Sequence, residues 1–132
     1  MKLTIRTWPD VIAFYQDMAK QGDDNSGPPL RAMAEFTAAL AALPVSQGLY
    51  PYTTLATMGM VQTPEVSDGQ DRILVRGRTD GQVEAALTDR FGWLGAAPPP
   101  FRGAPGWYGC FPVATAAQDL VEALAEIGWL EE

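Results

Sequence analysis

The chain has 132 residues, 47% hydrophobic and 19% charged, with 16 Asp and Glu against 9 Lys and Arg, for a net charge of −7. This is the composition of a folded chain about one domain long, and the excess of acid argues against nucleic-acid binding, which needs Lys and Arg to neutralise phosphates. With no His and a single Cys, the chain cannot build Ser–His–Asp or Cys–His nucleophile systems, histidine-ligated metal sites, zinc ribbons or an internal disulfide.

No apolar run approaches the ~20 residues that span a bilayer. Pro9 and Asp10 break the N-terminal stretch before the apolar core of a secretory signal could form. Cys110, with no histidine and no nearby lysine to activate it, reads as an inert buried thiol, a burial that only the fold decides. A cytoplasmic protein without membrane association is expected, as one α+β domain over residues 1–132.

Lys2 to Arg6 alternate and fit either an edge strand or the lead-in to a helix. T-W-P-D at Thr7–Asp10 then signals a helix start, with a capping hydroxyl and a proline in the first turn, where its missing N–H costs nothing. Val11, Phe14, Tyr15 and Met18 form an apolar stripe at helical spacing, and Gly22 ends the helix after Lys20. Residues 22–29 are a loop; Asp23 and Asp24 lack the spacing of a calcium loop and read as solvated. A second helix is predicted from Pro29 to Leu43, with Leu30, Met33, Phe36, Thr37 and Leu40 on its buried face and Pro44 as its stop.

Tyr52 to Val61 is β-rich and uncharged, the pattern of one strand covered on both faces. After the turn residues Pro64, Asp68 and Gly69, Asp71 to Arg78 alternate, with Ile73 and Val75 on one side and Arg72, Leu74, Arg76 and Arg78 on the other. Two readings compete beyond Asp80-Gly81. A three-residue hairpin with Gly81 left-handed pairs Arg76 with Glu84, Val75 with Ala85 and Ile73 with Leu87, so that both faces agree. The rival is a helix capped by Thr79, with Gln82 completing a capping box. The register favours the hairpin.

Gly92 to Pro112 is dominated by Gly and Pro, with Trp93, Phe101, Trp107, Tyr108 and Phe111 interspersed; Trp107 to Phe111 is expected to return as a short strand. Thr115–Gln118 fits a capping box for a last helix, with Ala117, Leu120, Val121, Leu124 and Ile127 buried. Gly128 then stands where a C-terminal cap belongs, with Trp129 and Leu130 folding over the helix end. The predicted fold is α+β: an antiparallel meander of about four strands against two N-terminal helices and one C-terminal helix.

Chemistry is mainly excluded. The phosphate-cradling glycine motifs are missing, and no metal or cofactor is expected. Glu35 and Glu84 sit inside apolar runs, and helix and strand geometry assign both to solvent. After Arg102 no basic residue occurs, whereas Asp119, Glu122, Glu126, Glu131 and Glu132 do. The leading expectation is a non-catalytic protein of inhibitor, immunity or antagonist type. It docks on a protein partner, a basic one fitting best, through Trp93, Phe101, Trp107, Tyr108, Glu122 and Glu126. The alternative is a small-molecule or anion-binding protein, or a carboxylate-only enzyme, that uses Arg72, Arg76 and Arg78.

Overall fold

In a computed structural model, residues 4–22, 27–54, 57–67, 69–89 and 107–130 are described. Thr7 caps the first helix, α1 (Trp8–Gln21), by accepting from the Asp10 amide at 3.2 Å, as T-W-P-D predicts. Helix α2 (Gly27–Ala41) begins earlier than Pro29, because a first turn tolerates both Pro28 and Pro29. A 3-10 turn over Pro44–Gly48 follows it.

Five strands come next: β1 (Tyr50–Thr54), β2 (Thr57–Val61), β3 (Arg72–Gly77), β4 (Gln82–Thr88) and β5 (Tyr108–Pro112). They form an antiparallel sheet in sequence order, and helix α3 (Ala116–Glu126) closes the chain. The expected α+β meander is present, with five strands rather than about four. The difference lies in residues 50–61, where Tyr50 pairs with Val61 and Thr54 with Thr57, making a hairpin instead of one strand. No Gly or Pro marks that reversal, so cross-strand pairing rather than turn chemistry defines it. Pro51 is the local clue, since a proline belongs on an edge strand. The N-terminal segment runs beside that edge, with the Arg6 amide donating to the Pro51 carbonyl at 2.8 Å.

The β3–β4 hairpin has the predicted register: Arg76 faces Glu84, Val75 faces Ala85 and Ile73 faces Leu87. Gly81 is left-handed at φ 84°, and its amide donates to the Arg78 carbonyl at 3.0 Å. Asp80 Oδ1 accepts from the Gln82 amide at 3.0 Å, so the turn is closed by its own sequence. The rival helix over residues 82–91 is thereby ruled out for its described part.

All three helices cover one face of the sheet. α2 lies over β3 and β4, α3 over β4 and β5, and α1 packs on α2 and reaches β1. Val11, Tyr15, Met33 and Phe36 meet Met58, Ile73, Val75 and Val83 there to form the main core. On the opposite face Tyr52, Val61, Leu74 and Ala86 form a second buried cluster, against which Ile5, Tyr50 and Val66 pack. The Tyr52 ring lies over Gly59, its cross-strand partner, where any Cβ would collide with it.

The C-terminal cap of α3 is the predicted one. Gly128 adopts φ 83°, its amide donates to the Ala125 carbonyl at 3.1 Å, and the Trp129 amide donates to Leu124 at 3.0 Å. That reversal buries Leu130 and leaves Ile127, predicted to be in the core, 42% exposed. The capping box also differs. Thr115 precedes α3, but its hydroxyl lies 2.7 Å from Asp119 Oδ2, to which it donates, and makes no cap bond.

Tyr15 carries an unmet cost. Its ring is fully buried beside Phe14, yet its hydroxyl has no hydrogen-bond partner among the described residues. Burial pushes the phenol well above its ordinary pKa, with the nearby Arg6 charge acting the other way. Tyr15→Phe removes an unsatisfied buried group and should leave stability unchanged or raise it by about 1 kcal/mol, read by urea denaturation at pH 7. The alkaline limb should respond as well. Unfolded tyrosine ionises near ~10, so a raised folded pKa stabilises fully below that pH and is lost as pH climbs toward the folded value. Tyr52, raised by burial despite its Arg72 hydrogen bond, acts in the same direction. Wild type should therefore lose stability above pH ~10 more steeply than Tyr15→Phe.

Candidate functional site

The polar face of the β3–β4 hairpin, continued onto β5, gathers the charged side chains into one network. Alternation along β3 puts Arg76 on the face opposite the helices, and the hairpin register brings Glu84 across from it. Arg76 Nε binds Glu84 Oε2 at 2.8 Å, and the Tyr108 hydroxyl from β5 donates to Glu84 Oε1 at 2.8 Å. Both carboxylate oxygens are engaged, and Glu84 is 6% exposed rather than solvent-facing as strand alternation implied. The reason is the third strand: β5 docks on β4 and encloses a position that a two-stranded hairpin would leave open.

Arg78 extends the network at the turn. Its Nε lies 3.3 Å from Asp80 Oδ2, and Nη1 lies 3.8 Å from Cys110 Sγ, which donates to Gln82 Oε1 at 3.1 Å. The Asp80 charge, ahead of a hydrogen bond with Tyr108, raises the guanidinium above its usual pKa. The Tyr108 phenol is also raised, first by partial burial and then by Glu84, which accepts its hydrogen bond and opposes a phenolate. Arg76, Arg78, Thr79, Glu84 and Tyr108 line a cleft of about 540 Å³. Pro29 and Gly77 complete it, where α2 begins against the end of β3.

The sequence-selected residues separate into distinct places. Arg72 lies at the far end of β3 from Arg76 and Arg78 and is fully buried. Its Nε donates to the Gln70 carbonyl at 3.0 Å, Nη2 to the Ser67 carbonyl at 2.9 Å and Nη1 to the Tyr52 hydroxyl at 3.1 Å. Trp107 stands on the helix-covered side, half-buried against the core and stacked with Phe111 at 6.2 Å. Tyr108 is on the other face and 40% exposed. Trp93 and Phe101 lie outside the described residues. Glu122 and Glu126 are exposed one turn apart on α3.

Sequence reasoning did not foresee the Glu84–Tyr108 bond or the exposure of Ile127 beside Glu126. The first had no local signal, because the two residues are joined only by the pairing of β4 with β5. Gly128 does signal the second, since a cap of this kind turns a later apolar residue back onto the helix. Among the described residues, no group of three His, Cys, Asp or Glu side chains could hold a metal, and no helix is long and apolar enough to cross a membrane. No protein-family model matches the chain, and neither the curated proteins nor the solved structures compared with it gave a significant match.

Proposed function

We propose that this is a small acidic, non-catalytic binding protein that docks on another macromolecule, in the manner of an inhibitor, immunity protein or antagonist. The outer face of α3 is its contact surface, and a basic protein is its partner. One observation carries the reading: α3 keeps an acidic face that its own electrostatics oppose. Glu122 and Glu126 repel at one-turn spacing, Glu126 stands near the negative end of the helix dipole, and the last turn has no basic residue. Beside them Ile127 is 42% exposed. An apolar contact flanked by carboxylates suits a basic partner, whose approach the field would accelerate.

Stability and binding should therefore move in opposite directions. Glu126→Lys is expected to stabilise the fold by about 0.5 kcal/mol, through the dipole and the removed repulsion. Glu122→Lys/Glu126→Lys should weaken the partner's binding by at least about tenfold, with a wild-type affinity that falls as salt is raised. The measurements are urea denaturation, affinity capture from the native host with both baits, and titration with the purified partner. Capture of no specific partner, or equal affinity for both baits, sinks the proposal.

A further inference from the structure

We infer that the cleft between the β3–β4 hairpin and the start of α2 binds a small ligand bearing an oxyanion, a carboxylate or phosphate, on a flat apolar body. The site is separate from the α3 face and does not depend on that reading. Its volume, about 540 Å³, is in the range of small-molecule sites.

The lining supplies both halves of such a ligand's recognition. Arg78 offers a guanidinium fork, the geometry that matches carboxylate and phosphate oxygens, Arg76 adds positive charge behind it while holding Glu84, and Thr79 adds a hydroxyl. The carboxylates nearby are disposed so that an anion is still accepted. Glu84 also lines the cleft, but its side chain is 8% exposed and Arg76 and Tyr108 engage both its oxygens, so little of its charge is presented to a ligand. Asp80 is different: it holds Arg78 at 3.3 Å with both side chains more than two-fifths exposed, an arrangement a ligand displaces at small cost. The Tyr108 ring, 40% exposed and tethered through its hydroxyl to Glu84, offers a rigid flat surface. Pro29 adds a second apolar wall. Rigid placement of the aromatic limits the entropy lost on binding.

The test is a titration of the full chain, followed by NMR of its backbone amides and arginine side chains, with phenyl phosphate, benzoate and inorganic phosphate as probes. Saturable shifts at Arg78 and Tyr108 with phenyl phosphate or benzoate are expected, and the tighter of the two identifies the head group. Inorganic phosphate should move the same signals with an affinity about tenfold lower, because it lacks the apolar body. Arg78→Gln should weaken the aryl probe by about tenfold while melting like wild type, since Arg78 is exposed. Asp80→Asn frees Arg78 from its competing carboxylate and should tighten binding by roughly threefold. Shifts that stay linear with all three probes would overturn the inference, as would equal affinities for wild type and Arg78→Gln. Equal binding of inorganic phosphate would overturn the apolar half of it.

Discussion

Arg72→Met should lower the free energy of unfolding by about 3 kcal/mol, a large effect for a residue outside the main core. Methionine occupies similar volume, so the loss is not chiefly one of packing. The fully buried guanidinium supplies donors to the Ser67 and Gln70 carbonyls and to the Tyr52 hydroxyl. Without it the buried Tyr52 hydroxyl loses this donor and the part-buried Ser67 and Gln70 carbonyls lose charge-assisted hydrogen bonds, at about 1–3 kcal/mol for an acceptor that water cannot reach and less for the others. Arg72 also stands over the Tyr52 ring, 5.8 Å from its centroid. Domains of this size have about 5–15 kcal/mol of total stability, so the loss removes a substantial share of it. Lysine should not rescue it, because one ammonium cannot reproduce the planar fork that meets three acceptors. Urea denaturation gives the magnitude, and amide exchange at Val66, Ser67, Gly69 and Gln70 should accelerate first as the contacts of Ser67 and Gln70 with Arg72 are lost. A change under about 1 kcal/mol would mean that water enters and satisfies the carbonyls.

Gly77→Ala should cost about 2–3 kcal/mol, the upper part of the range for overpacking. Gly77 ends β3 on the helix-covered face, directly under the start of α2. A Cβ there would overlap the Pro29 carbonyl oxygen and come within 2.7 Å of its carbon. The obstruction is backbone, so no rotamer change relieves it; either α2 lifts or the end of β3 bends away. Gly81→Ala is the useful comparison. Its added Cβ meets nothing within 4 Å, and the strain comes from φ 84° alone. It should cost about 1 kcal/mol. Equal losses for the two variants in urea denaturation would show that α2 yields freely at its first turn. The larger loss at Gly77 should also alter the cleft that Pro29 walls, weakening aryl-anion binding, whereas Glu126→Lys should leave that binding unchanged.

The segments legible in the sequence were those whose instructions are local. Asp80-Gly81 closes a turn with its own side chain and a left-handed glycine, and period-2 alternation on both sides then admits one register, so Arg76 opposite Glu84 could be predicted from residues 71–87 alone. Thr7 and Gly128 end their helices by the same kind of short-range hydrogen bond. Tertiary structure decided what covers each face. Alternation shows that Arg72, Leu74, Arg76 and Glu84 share a side of the sheet, but whether that side meets water depends on partners distant in sequence. The connection through Ser67 and Gln70 encloses Arg72, and Tyr108 on β5 closes over Glu84. The split of residues 50–61 into β1 and β2 likewise rests on cross-strand pairing without a turn signal. Local hydrogen bonds are written in neighbouring residues, whereas burial belongs to the assembled chain; the arginine row therefore divides into a buried tie at Arg72, a half-buried pair with Glu84 at Arg76 and an exposed side chain at Arg78 only once the sheet is built.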